Sequence, residues 1–97
     1  LECLDDFLDV PGISGAFVGP SDLSISMGIP GDMDNPQEVA AIERVIDGCR
    51  KRNLACAIAI MPHERVIFWR DKGMNMLCAG SETYALADAF KQIRGLA

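Results

Sequence analysis

The chain has 97 residues, 49% of them hydrophobic and 24% charged, which is enough for one small globular domain with a modest core. Its formal net charge of −5 argues against nucleic acid as a partner, because binding to phosphates needs a basic surface. No apolar run approaches the roughly 20 residues of a membrane-spanning helix, and the first residues lack the basic segment of a secretory signal. We therefore expect neither nucleic acid nor a membrane among the partners.

The first predicted elements are a helix and a short buried strand. Leu4 and Leu8 lie at helical spacing, and Pro11-Gly12 ends the helix. Because the sequence opens in the middle of this helical pattern, we expect it to begin inside a larger protein. The apolar run 15–18 then predicts a strand, which ends at the Gly-Pro pair that follows.

The second predicted helix has a well-marked start. Asn35 can cap it, Pro36 suits the first helical position, and Glu38 lies three residues past the cap, the spacing of a capping box. Asn53 follows a basic last turn and can adopt the left-handed conformation that ends a helix. The apolar stripe of this helix comprises Val39, Ile42, Val45, Ile46 and Cys49.

The rest of the chain repeats the alternation of strand and helix. Residues 54–60 are apolar throughout, which predicts a strand covered on both faces. A helix that begins at Pro62 and ends at Gly73 leads to a further predicted buried strand, residues 74–79. The last helix carries an apolar stripe of Leu86, Ala89, Phe90 and Ile93.

The predicted order, α-β-α-β-α-β-α with continuously apolar strands, is typical of parallel βα units and of the α/β class. Three parallel strands leave two edges of the sheet unpaired, and a complete (β/α)8 barrel takes about 250 residues. We therefore expect residues 1–97 to form a single partial domain. It would comprise the last three βα units of a (β/α)8 TIM barrel, preceded by one helix.

Four cysteines, Cys3, Cys49, Cys56 and Cys78, form no CxxC pair, and His63 is distant from all of them in sequence. Zinc-finger spacing is therefore absent. We interpret the four as reduced, mostly buried thiols of a cytoplasmic protein, with disulfides or redox roles as the alternative.

The segment Gly19-Pro20-Ser21-Asp22 places a carboxylate where a predicted strand ends. Ligands of parallel α/β proteins bind at this carboxyl edge of the sheet, where an acid can hold a metal ion. Asp22 can equally be a turn residue, and Ser21 can be the cap of a short helical turn.

The stretch 10–24, which contains Gly-Pro-Ser-Asp-Leu-Ser, resembles the metal-binding segment of the HpcH/HpaI aldolase/citrate lyase family. The segment 35–39 and the closing Gly80-Ser81 with its helix are similar as well, so the resemblance spans nearly the whole chain. It implies the C-terminal portion of a (β/α)8 class II pyruvate-dependent aldolase. Examples are the 4-hydroxy-2-oxoheptanedioate and 2-keto-3-deoxy sugar acid aldolases.

The resemblance also implies a carbon–carbon lyase that forms or cleaves 2-keto acids, with pyruvate and an aldehyde as partners. Asp22 would be one of two carboxylate ligands of Mg²⁺, Mn²⁺ or Co²⁺, a role that agrees with the preference of hard cations for oxygen. The backbone N–H of Ser21, with Gly19 and Pro20, would hold the pyruvate carboxylate. The family's second ligand, a Glu, and its base-orienting His and substrate-binding Arg would precede Leu1. We therefore expect no catalytic residue in this chain and no activity from it alone.

Members of this family are commonly homo-oligomers, and the stripe 86–93 suits packing on a neighbouring subunit. One alternative function is a catalytically silent remnant that is structural or associates with other subunits. A further alternative is an acyl-CoA lyase of the citrate lyase β type, although the C-terminal His-Pro motif of those relatives is missing.

The remaining polar candidates have ordinary interpretations. We expect His63 in solvent at the first turn of its helix, and Asp32 and Asp34 solvated in a Gly/Pro-rich loop. Ser24 has no histidine at a spacing that would make it a nucleophile.

Overall fold

The computed structural model describes residues 1–60 and 64–96. The predicted helix start at Pro62 and the predicted position of His63 lie outside these residues. In the described part of the chain, no helix is long and apolar enough to cross a membrane. The elements, in chain order, are α1 (Leu4–Leu8), β1 (Gly15–Val18), α2 (Pro20–Ser26), α3 (Pro36–Lys51), β2 (Ala55–Ala59), α4 (Glu64–Asp71), β3 (Met76–Cys78) and α5 (Glu82–Gly95).

The three strands form one parallel sheet in the order β1-β2-β3. Val18 pairs with Ile58, and Ala59 pairs with Cys78, so all three strands end at the same edge. Each strand reaches the next through a connection that contains a helix, as parallel neighbours require. The predicted α/β class and parallel sheet are confirmed, and the arrangement is that of part of a TIM barrel.

The core lies between α3 and one face of the sheet. Ile42 of α3 and Ile58 of β2 are completely buried, and Trp69 of α4 is 1% exposed. Burying an aliphatic side chain of this size contributes about 1.5–3 kcal/mol to folding. The predicted stripe of α3 therefore faces the sheet and positions the carboxyl edge of the strands.

The other face of the sheet carries no helix in the described chain. Phe17, Ala57 and Met76 lie side by side in register across the three strands. Phe17 is 60% exposed and Met76 is 54% exposed. The prediction of a strand covered on both faces was made for residues 54–60, and it holds at the centre of β2, where Cys56, Ala57 and Ile58 are all buried. The exposed residues of this face lie on the two flanking strands.

The third strand is shorter and more exposed than predicted. It spans Met76–Cys78 rather than 74–79, and it pairs with β2 alone. The prediction of a buried 74–79 strand is wrong because β3 lies at the edge of the sheet.

All four cysteines are free. The prediction of mostly buried thiols is correct for Cys49 and Cys56 and wrong for Cys3 and Cys78, which are exposed. Burial and the neighbouring Cys49 raise the pKa of the Cys56 thiol to about 12.

The start of α3 combines one confirmed prediction with one that is wrong. Asn35 caps the helix, and its Oδ1 accepts the Gln37 N–H at 2.9 Å. The capping box does not form, because the Asn35 N–H donates to the Asp32 carbonyl at 3.2 Å instead. The carboxylate of Glu38 is consequently free to turn inward, and Glu38 is completely buried. At the other end, Asn53 has the predicted left-handed conformation, with φ of 56°.

Candidate functional site

The segment 19–22 lies at the carboxyl end of β1 and forms the first turn of α2. Gly19 is the N-cap residue, with extended backbone (φ −101°, ψ 95°), and Pro20 occupies the first turn of the helix. The prediction that Ser21 caps this helix is wrong, because the helix begins one residue earlier, at Pro20. Proline suits that position, since its ring fixes φ near the helical value and no N–H is lost from the helix.

Asp22 is exposed in the first turn of α2. Its carboxylate folds back towards the strand end, so a Cβ added to Gly19 would lie 3.2 Å from Asp22 Oδ2. Among the ion pairs of residues 1–60 and 64–96, none includes this carboxylate. Glycine at position 19 therefore leaves space for the Asp22 carboxylate beside the strand end.

Ser21 does not cap α2 but lies in its first turn, where it presents a backbone N–H. Helix geometry gives its first-turn N–H no acceptor within the helix. Its hydroxyl donates to the Met33 sulfur at 3.5 Å, which links α2 to the 27–35 loop, the segment between α2 and α3. The buried Ser24 hydroxyl strengthens this link, since it donates to the Ser21 carbonyl at 2.7 Å and accepts the Gly31 N–H at 3.1 Å.

These residues border a cavity of about 550 Å³, here called the edge cavity, at the carboxyl ends of the three strands. Its volume is sufficient for a small metabolite. All four candidate residues from the sequence contribute to it. Among the described residues its lining is Gly19, Pro20, Ser21, Asp22, Met33, Ala59, Ile60, Cys78, Gly80, Ser81 and Tyr84.

Seven of these lining residues were not predicted as site residues, and three of them carry side chains from the loop and from α5. Met33 reaches the cavity from the 27–35 loop, and Ser81 and Tyr84 reach it from the start of α5. Ser81 Oγ caps α5 by accepting the Tyr84 N–H at 3.2 Å. The sequence signal that could have indicated Ser81 and Tyr84 was Gly80-Ser81 at the end of a predicted strand. The carboxyl ends of parallel strands meet at one edge of the sheet, so residues that follow them lie close together.

The donor set fits a hard divalent cation only in part. Asp22 offers the carboxylate oxygen that Mg²⁺ or Mn²⁺ prefers, at the border of a cavity. Within residues 1–60 and 64–96, no three His, Cys, Asp or Glu side chains converge into a metal site. Asp32 and Asp34 are exposed, as expected, and Asp34 pairs with Arg65 at 2.9 Å. Asp22 can therefore supply one ligand of such an ion, and the described residues do not offer a complete set.

The parallel α/β sheet is that of part of a (β/α) barrel. Its cavity lies at the carboxyl ends of the strands, which is the usual location of a barrel active site. The family model described as HpcH/HpaI aldolase/citrate lyase matches residues 1–89 of the chain. The chain belongs to this family, as its sequence motifs predicted.

Individual relatives agree with this assignment. The hydroxypyruvate/pyruvate aldolase of Roseovarius nubinhibens is 33% identical over 92 residues, which are 95% of this chain and 36% of the relative. The 2-keto-3-deoxy-L-rhamnonate aldolase of Escherichia coli is 36% identical over 95 residues, which are 34% of its length. The chain thus spans about a third of these relatives.

The fold comparison gives the same result. A crystal structure of an HpcH/HpaI aldolase/citrate lyase family protein from Burkholderia cenocepacia superposes with a TM-score of 0.89 at 25% identity. The superposition covers 95% of this chain and 36% of that protein. The described elements therefore correspond to one part of the family's fold.

Proposed function

We propose that the chain is the C-terminal part of a divalent-metal-dependent aldolase that forms or cleaves 2-keto acids, with pyruvate and an aldehyde as partners. Two relatives named as aldolases and the family match support this class of reaction. The observation that carries the proposal is the position of Asp22. Its exposed carboxylate borders the edge cavity at the end of β1.

In this proposal the residues of the chain bind and orient the substrate. Asp22 holds one side of a Mg²⁺, Mn²⁺ or Co²⁺ ion, which when bound supplies Lewis acidity to the keto acid. The first-turn N–H of Ser21 has no acceptor in its helix and binds a carboxylate oxygen of pyruvate. Gly19 leaves space for the Asp22 carboxylate, and Pro20 fixes the first turn that presents the Ser21 N–H.

Calorimetric titration of Mn²⁺ into the protein that carries this chain tests the proposal. We expect Asp22→Asn to weaken binding by at least tenfold, since a neutral amide replaces one of the anionic oxygen ligands that a hard cation prefers. Asp47→Asn is the matched control, because Asp47 is an exposed carboxylate on α3, outside the edge cavity. Equal Mn²⁺ affinity of the wild type and Asp22→Asn rejects Asp22 as a ligand.

A second candidate function is a structural part that associates with other subunits or with further copies of the chain. The observation that favours it is α5, residues 82–95, in which no side chain is buried. The predicted stripe remains open, with Leu86, Phe90 and Ile93 each about 60% exposed. We propose that this stripe packs on a neighbouring subunit of a homo-oligomer.

A further inference from the structure

Glu38 is a completely buried acid without a partner. It lies in the first turn of α3 and is 0% exposed. Neither of its carboxylate oxygens has a hydrogen-bond partner among the described residues. Buried polar groups are almost always hydrogen-bonded, so an orphaned carboxylate requires an explanation.

The charged groups near Glu38 make its ionisation harder. Asp32 and Asp34 of the 27–35 loop both repel a negative charge at Glu38. Asp34 in turn pairs with Arg65 of α4 at 2.9 Å. Burial is the larger effect and the two aspartates add to it, so the pKa of Glu38 is raised above the usual 4.5.

The 27–35 loop adjoins Glu38 and is held by polar contacts, among them the Ser21–Met33 hydrogen bond and the Asp34–Arg65 ion pair. The Gly31 N–H donates to Ser24 Oγ, and Asn35 Nδ2 donates to Asp32 Oδ2 at 3.1 Å. Helix α3 is held instead by its apolar stripe, in which Ile42, Val45, Ile46 and Cys49 are buried. If Glu38 must reach water, the loop moves before the helix does, because fewer and weaker contacts hold it.

We propose that Glu38 is a pH-sensitive element that is protonated while buried and that opens the 27–35 loop when it ionises. Met33 lies on this loop and lines the edge cavity, so ionisation changes one wall of that cavity. The burial of Glu38 and its two unpartnered oxygens support this role. It does not depend on which metal ion or substrate the cavity binds.

The sign of the effect follows from linkage. A carboxyl whose pKa is raised by folding costs nothing below its unfolded pKa, destabilises the buried state increasingly as pH rises towards its folded pKa, and adds no further cost above that value. Replacing Glu38 with glutamine keeps the shape of the side chain and removes the titration. As pH rises, the protection of the loop amides against hydrogen exchange should therefore fall in the wild type relative to Glu38→Gln.

Amide hydrogen exchange of the 27–35 loop, measured from pH 4 to pH 8, tests this proposal in the protein that carries the chain. At each pH the wild type is compared with Glu38→Gln, so the intrinsic pH dependence of exchange cancels. We expect the protection ratio of Glu38→Gln to wild type to rise by about tenfold for each pKa unit by which folding raises the pKa. Glu82→Gln makes the same chemical change at an exposed first-turn position and should match the wild type.

A ratio that stays constant over this pH range overturns the proposal. If Glu38→Gln does not fold, carbon-13 NMR titration of the Glu38 carboxyl in the wild type decides instead. A midpoint above 4.5 supports the proposal, and a midpoint at or below 4.5 overturns it.

Discussion

At the scale of single residues, Gly15 shows how closely the first two strands approach. It pairs with Ala55, and a Cβ at position 15 would lie 2.9 Å from the Ala55 carbonyl carbon. Backbone cannot rotate away as a flexible side chain can, so we expect Gly15→Ala to lower the free energy of unfolding by about 1–3 kcal/mol. Urea denaturation followed through Trp69, the single tryptophan, measures this.

The control for Gly15→Ala is the same change at Gly95. Nothing lies within 4 Å of a Cβ added there, at the end of α5. Alanine is favoured over glycine in a helix, so Gly95→Ala should leave stability unchanged or raise it by up to ~1 kcal/mol. Equal urea midpoints for the two variants would contradict the close approach of β1 and β2.

The contact between Asp9, at the end of α1, and Arg52, at the end of α3, should be lost in acid. Arg52 Nε donates to Asp9 Oδ1 at 2.7 Å, and this hydrogen bond lowers the pKa of Asp9 below the usual 3.8. A lowered pKa means that the contact stabilises fully above pH 3.8 and is lost as pH falls through the folded value. We expect exchange protection of the α1 amides to be higher in the wild type than in Asp9→Asn near neutral pH, and equal at the acid end.

Asp6→Asn is the matched control for this pH dependence. Asp6 lies on the same helix, is exposed, and forms no ion pair among the described residues. Its variant should follow the wild-type profile throughout. A profile of Asp9→Asn that parallels the wild type at every pH would show that the Arg52 contact does not hold α1.

At the scale of elements, the N-cap of α3 should matter to the whole fold. Asn35 Oδ1 satisfies one first-turn N–H, and α3 supplies the helical side of the core. We expect Asn35→Ala to cost about 1 kcal/mol of unfolding free energy, the usual value for the loss of a cap. Urea denaturation monitored through the buried Trp69 is the appropriate measurement.

The cap of α5 provides the comparison. Ser81 accepts the Tyr84 N–H, but no side chain of residues 82–95 is buried. Ser81→Ala should therefore loosen α5 locally and shift the Trp69 transition less than Asn35→Ala does. If Ser81→Ala shifted this transition as far as Asn35→Ala, α5 would have to be coupled to the core.

At the scale of the whole molecule, apolar patterning predicted most of the architecture. The strand 15–18 and the caps at Asn35 and Asn53 depend on neighbouring residues alone, so they could be predicted from the sequence. The strand 74–79 was predicted too long and buried, because the sequence does not show which strands lie at an edge. Apolar residues that face solvent in this chain have the same pattern as residues that face a core.

The candidate site could likewise be predicted only in part from the sequence. The segment 19–22 could be placed at a strand end, because a Gly-Pro break directly follows an apolar run. The contributions of Met33 and Tyr84 depend on how the loop and α5 return to the sheet edge. Burial of Glu38 was hidden as well, since the capping-box spacing favoured a carboxylate that accepts the Asn35 N–H, whereas in the structure this N–H donates to the Asp32 carbonyl.

The exposed apolar surfaces predict association of the chain when it is prepared by itself. Phe17 on the open sheet face is 60% exposed, and Phe90 on α5 is 65% exposed. Two sheet edges also carry unpaired backbone groups, because β1 and β3 each pair on one side only. Apolar side chains and open edges together favour contact with another protein surface.

Light scattering after size exclusion should therefore show a mass that increases with concentration. We expect Phe90→Asp and Phe17→Asp each to shift the chain towards monomer, because each places a charge in an apolar contact. Lys91→Gln changes the net charge by the same one unit at an exposed position of α5, and it should leave the mass unchanged. If only Phe90→Asp reduces the mass, α5 forms the contact, and if only Phe17→Asp does, the open sheet face forms it. A concentration-independent monomer in the wild type would show that neither surface associates and would reject the proposed oligomer contact through α5.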